Sequence, residues 1–367
     1  MTLVEHAQAQ AGEPVGARRL AGSRPAEHRR RSLLASGWAR GGGLVVAAGA
    51  LVLVALTSIA YGSKSIPLGT VLDALVEHDP TDNDHLIVQS LRVPRTLIGL
   101  AVGAALGLAG AVMQGVTRNP LADPGIFGVE AGAALAVVVG IYVFGIGSLT
   151  GYVWFAFAGA GAASVVVYGL GSVGRGGATP VKLALAGAAM AALLSSVTSA
   201  ILIVDVSTLD QFRFWAVGSL AGRDAAIASQ VLPFLLVGVA LAFLSARGLN
   251  TLALGDDVAT SLGERVQRTR LLAALAVVVC SGAAVAAAGP IGFIGLTIPH
   301  VARAICGPDH RWILPWSLLL APSLLLAADV VGRIVARPGE LQVGIVTAFI
   351  GAPFFVALVR RKKLAEL

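Results

Sequence analysis

Residues 91–116 read LRVPRTLIGLAVGAALGLAGAVMQGV, and after Arg95 the stretch holds only apolar or small residues apart from Thr96 and Gln114. As a helix rising about 1.5 Å per residue, 96–116 covers roughly 30 Å, the hydrocarbon thickness of a bilayer. The stretch predicts a membrane-crossing helix. It also sets Arg92 and Arg95, three apart and stiffened by Pro94, at the entrance to that helix.

Runs of the same kind lie on both sides of it, at about 41–60, 125–147, 152–170, 181–204, 226–245, 271–289, 291–306, 313–331 and 342–359. Apolar residues make up 56% of the 367 and charged residues 13%, with a mean hydropathy of +0.82, too little charge to coat a soluble globule. The 45 glycines, spread through the apolar runs, suit helices that approach closely in lipid. No long stretch alternates as a barrel strand would. The expected fold is an all-α integral membrane protein of ten transmembrane helices. The run 41–60 is long for a signal-peptide core and its leader is large for one, so it is read as a retained first span. The eighth span, 291–306, is short and holds Pro299 and His300, which suits a kinked helix inside the bundle.

The net charge of +7 is spread in short basic clusters between the runs and at the two ends, a pattern that favours anionic lipid over nucleic acid. With the N- and C-termini cytoplasmic, only Lys64, Arg92, Arg95, Arg213, Arg223, Arg333 and Arg337 of the 27 lysines and arginines fall outside. Residues 1–40 read as a disordered Arg-rich cytoplasmic tail, and 41–367 as the transmembrane domain with a polar cytoplasmic segment at 254–270. Cys280 and Cys306 have neither disulfide nor metal-ligand spacing and read as small buried residues.

Arg92, Arg95 and Arg333 are either snorkelling helix caps or a surface of guanidinium forks for carboxylates. The segment around Gly255, Asp256, Asp257, Leu262, Gly263 and Glu264 places two carboxylates at the positive end of a short helix and a glycine at its end. It is either a contact for a partner protein or a solvated loop. The Gly- and Pro-rich run 289–303 predicts a broken, closely packed helix pair, in which Gly292, Gly295 and Pro299 are candidate pathway or gate residues. Asp329 precedes Arg333 by four residues, the order of a helical ion pair. Glu130 lies inside a span near the inner face, where it either lines the pathway, carries a proton or reaches water. No phosphate-binding loop, dinucleotide fingerprint, catalytic triad or metal constellation occurs, so no catalytic residue and no metal ligand is assigned and the chain is not expected to hydrolyse nucleotide alone.

Taken together, LRVPRTL (91–97), GAALGLAGAVMQG (103–115), NPLADPGIFGV (119–129), ALGDDVATSLG (253–263), GFIGLTIPHVAR (292–303), ADVVGR (328–333) and GIVTAFIGAPFF (344–355) resemble, in order, the FecCD-type permeases of ABC importers for iron-siderophores, haem and cobalamin. The resemblance covers roughly 45–360. It implies the ABC importer permease fold in a bacterial cytoplasmic membrane, with iron(III)-siderophore the commonest cargo. It also implies a second permease subunit, identical or paralogous, two ATPase subunits that use ATP and Mg, and an extracytoplasmic substrate-binding protein. No cofactor is implied on this chain. By the resemblance, Arg92, Arg95 and Arg333 meet glutamates of the binding protein, and 255–270 seats in the ATPase. The Arg-rich tail is longer than the family's, and Glu130 stands where a small or uncharged residue is expected. The rival class is a proton-coupled secondary transporter using Glu130 and Asp329.

Overall fold

The computed structural model describes residues 33–34, 36–77, 79–174 and 179–360. The expected tail up to residue 32, and the basic cluster Arg361, Lys362 and Lys363, lie outside the described residues. All regular elements among the described residues are helical. They are α1 (Gly37–Ala60), α2 (Leu68–Val76), α3 (Asn83–Leu86), α4 (Val93–Thr117), α5 (Val129–Phe144), α6 (Leu149–Ser172), α7 (Pro180–Val204), α8 (Val206–Ala216), α9 (Ala225–Leu252), α10 (Asp256–Ser261), α11 (Val266–Ala288), α12 (Ile294–Cys306), α13 (His310–Val335) and α14 (Val343–Arg360). One π-helical turn, Ile87–Arg92, joins α3 to α4, and a 3₁₀ turn, Pro124–Phe127, precedes α5.

Each of the ten apolar runs becomes a helix, but not each becomes a full span. Among the described residues seven helices are long and apolar enough to cross a membrane, those built on α1, α4, α6, α7, α9, α11 and α13, whereas α5, α12 and α14 are shorter. The reasons are local. Gly128, at φ 71°, holds the chain out of the helix until Val129, and Gly145, at φ 65°, ends α5. Phe293, left-handed at φ 69°, delays the start of α12 to Ile294. At the other boundary α1 begins earlier than expected, at Gly37, because the Ser36 hydroxyl accepts from the Ala39 N–H and caps the helix inside the stretch read as tail.

The end of the bundle where α1 begins is called the near end here, and the end where α1 stops the far end. α4 and α11 are the most enclosed of the spanning helices, and α1 and α7 the most exposed, as helices facing lipid or another subunit would be. The glycines of α4 set its packing. Gly103 lies against the backbone of Pro322, Gly107 against Ser317 and Ala321 of α13, and Gly110 against the carbonyl of Gly295 in α12, so a Cβ at any of them would collide. α5 and α6 cross in the same way, Gly132 on Gly159.

Candidate functional sites at the two ends of the bundle

At the far end the three arginines are spent on the protein itself. Helix α1 ends with carbonyls that have no intrahelical donor, and arginines from two other helices supply them. Arg92 donates through Nη1 to the carbonyls of Ile59 (2.9 Å) and Ala60 (2.6 Å), and through Nη2 to that of Lys64 (2.5 Å). Arg333 donates to the carbonyls of Ser58 (2.9 Å) and Tyr61 (3.0 Å) and to the Ser58 hydroxyl (2.8 Å), which also meets Thr96. Both side chains are buried. Three cationic donors, counting Arg337 on the Gly62 carbonyl, thus gather at the negative end of the α1 dipole.

Arg95 is different. Its Nε and Nη2 grip both oxygens of the fully buried Asp329 at 3.0 and 2.7 Å, and Asp329 also pairs with Arg333 at 3.0 Å, so the expected i,i+4 ion pair is part of a larger network. The third nitrogen, Nη1, points outward to Glu340 at 2.7 Å, whose side chain is 29% exposed. Burial opposes ionisation of Glu340, but the hydrogen bond and charge of Arg95 outweigh it and hold the carboxyl below its ordinary range. Arg95 thus bridges the buried Asp329 and the partly exposed Glu340. Arg92 and Arg333 are helix caps in this structure.

At the near end, 253–270 folds as expected into a short helix, a glycine turn and the start of a span. Gly255 (φ 103°) and Gly263 (φ 83°) bracket α10 in conformations that a side chain would strain. Asp256 is pinned from two sides, by Arg118 at 3.0 Å and by Arg270 at 2.8 Å, and Glu264 bonds the Thr269 hydroxyl. Asp257 is exposed. Val258 on α10, Leu254 before it and Leu262 just after it are 47, 60 and 65% exposed, an apolar patch on and beside a short helix that Asp256 ties down. Beside it opens a groove of about 450 Å³ lined by Asp256, Thr260, Glu264, Arg265, Val266, Gln267 and Arg270.

The candidate pathway residues separate. Gly292 has open space around it, whereas Gly295 is jammed against α4 and Pro299 is buried within α12. Pro299 has no N–H, so the Gly295 carbonyl four residues before it loses its helical donor. Gln114 of α4 replaces that donor: Nε2 reaches the carbonyls of Gly295 (3.4 Å) and Leu296 (3.1 Å), while Oε1 accepts from Arg303 (2.5 Å) at the other end of α12. The last carbonyls of α12 are closed by the N–H groups of Leu33 and Leu34 on Ala304 and Ile305. Sequence reading passed over Gln114, Arg303 and Arg118. The signal was there for Gln114, an amide deep in an otherwise apolar run.

Glu130 sits in the first turn of α5, above Gly125, and makes no ion pair among the described residues. Cys280 and Cys306 are free and buried. No group of three His, Cys, Asp or Glu able to hold a metal occurs among the described residues.

The chain matches the FecCD transport family over residues 50–361. It is 50% identical over 312 residues, 85% of this chain and 93% of the relative, to the ferric enterobactin transport system permease protein FepD of Escherichia coli. It is 43% identical over 315 residues, again 85% of this chain and 94% of the relative, to the probable siderophore transport system permease protein YfiZ of Bacillus subtilis. A solved structure described as an inward-facing conformation of a metal-chelate type ABC transporter superposes with a TM-score of 0.76 at 29% identity, covering 88% of this chain and 99% of the other. The far-end caps, the pinned near-end helix and, among the described residues, seven helices able to cross a membrane thus belong to a multi-pass membrane permease, and the chain is a member of the FecCD transport family.

Proposed function

We propose that this chain is the membrane permease of an ATP-driven importer that carries iron(III)-siderophore chelates inward, with the near end cytoplasmic. It pairs with a second permease, identical or paralogous, and meets two ATPase subunits at the near end, where ATP and Mg are used, and a substrate-binding protein at the far end. The observation that carries the reading is the exposed apolar patch of Val258 on α10 and the flanking Leu254 and Leu262, on a short helix anchored by the Asp256 ion pairs. Asp257, Gly263 and Glu264 frame that surface. For the cargo, the support is the half-identity to a ferric enterobactin permease.

On the far end, the docking role expected of Arg92, Arg95 and Arg333 narrows to Arg95, whose Nη1 is held by the partly exposed Glu340 rather than by a buried group. A rim contact of that kind steers and orients an acidic partner more than it binds it. The proton-coupled reading loses one of its two carboxylates, because Asp329 is clamped by two arginines.

Uptake of radioactive iron chelates into proteoliposomes tests the reading. Uptake is expected to require both ATP and the ATPase subunits and to survive collapse of the proton gradient. Gradient-driven uptake by the chain without an ATPase would overturn it. Haem or cobalamin uptake in place of iron chelate would keep the architecture and change the cargo.

A further inference from the structure

Gln114 in the last turn of α4 and Arg118, the residue that follows the helix, reach different partners. Gln114 holds both ends of α12, as described, and is 1% exposed. Arg118 holds Asp256 at the head of α10. Between them the helix closes with a Schellman pattern, Asn119 N–H on the Gln114 carbonyl and Arg118 N–H on that of Gly115. The residue in the left-handed position of that motif is ordinarily glycine, but here it is Arg118 at φ 52°. A glycine would relieve the backbone and lose the guanidinium that reaches Asp256. The same trade recurs in α12, where Pro299 breaks the helix's own hydrogen bonding and leaves its first turn completed by α4. Gly110, against the Gly295 carbonyl, removes any space for the two helices to slide past a side chain.

We propose that the end of α4, through Arg118 and Gln114, is the link that makes the broken helix α12 follow the ATPase-facing helix α10. The inference rests on the reading of 255–270 as the ATPase contact. Pro299 supplies the dependence: a helix lacking a donor of its own is positioned by the neighbour that provides one. Gln114 and Arg118 are positioning residues; neither is assigned contact with the cargo.

The test uses the importer assembled with its ATPase and binding protein in nanodiscs, spin-labelled at Ala304→Cys on α12 and Leu185→Cys on α7. Both positions are exposed, and the two native cysteines are buried. ATP is expected to shift the label-to-label distance in the otherwise native protein. Gln114→Met, of similar size and without polar ends, is expected to abolish the shift and lower uptake per ATP hydrolysed about tenfold while hydrolysis continues. Arg118→Met is expected to abolish the shift as well.

Pro299→Ala separates positioning from mere packing, because it returns an N–H to the Gly295 carbonyl. In the Gln114→Met background it is expected to restore thermal stability without restoring the shift. Recovery of the shift together with stability would overturn the proposal and leave Gln114 a patch for one carbonyl. A shift that persists in Arg118→Met would overturn it too. A native complex that takes up cargo with ATP but shows no shift overturns the link alone, whereas absence of ATP-dependent uptake overturns the reading beneath it.

Discussion

A guanidinium has five donors in a rigid fork, and what an arginine does depends on which of them are already used. Arg92 and Arg333 use theirs on the carbonyls of 58–64, and their removal would strand those acceptors away from water. Asp329 is the pivot, because it is the buried carboxylate that both Arg95 and Arg333 face. Asp329→Leu is expected to cost about 3–5 kcal/mol, the penalty for leaving buried cations without their partner. It would appear as a large fall in the thermal unfolding temperature of the detergent-purified protein. Glu340→Gln, at the half-exposed outer edge of the same network, is expected to cost less than about 1 kcal/mol. Equal losses in the two variants would mean that the network is not anchored at Asp329.

Single elements divide into those that complete themselves and those that do not. α4 is closed by its own cap and by small residues that let α12 and α13 reach its backbone. α12 is completed by α4 at its start and by the backbone of Leu33 and Leu34 at its end. α10 is six residues long and held by two ion pairs, so Val258 and the flanking Leu254 and Leu262 are available without cost to the fold. Val258→Lys is accordingly expected to leave expression and unfolding temperature unchanged while abolishing co-purification of the ATPase subunit. Retention of the ATPase at native stoichiometry would remove the apolar patch from the interface.

For the whole molecule, the orientation of the bundle is the property on which both ends depend. Asp257 and Thr81 are exposed, at the near end and in the segment between α1 and α4 respectively. In intact cells a membrane-impermeant maleimide is expected to label Thr81→Cys from outside and to leave Asp257→Cys unlabelled until the membrane is opened. The background is low because Cys280 and Cys306 are buried. The reverse pattern would turn the importer over and exchange the partners assigned to its two ends.

Hydropathy by itself determined that the chain lives in a membrane and where its ten apolar helices lie, because an uncharged run of about twenty residues has lipid as its solvent whatever its neighbours do. The glycine brackets of α10 and the Asp329–Arg333 pair were legible for a similar reason: both are set within four residues or one turn. Left to the tertiary structure were the lengths of α5 and α12, cut short by single left-handed residues, and the employment of Arg92 and Arg95 at the far end. Arg92 meets α1 across more than thirty positions of chain and Arg95 meets Asp329 across 234. No spacing rule reaches that far. Whether a guanidinium is a cap or an open fork is decided by which carbonyls arrive beside it, and Gln114 becomes a link only because Pro299, from a helix distant in sequence, arrives with one hydrogen bond missing.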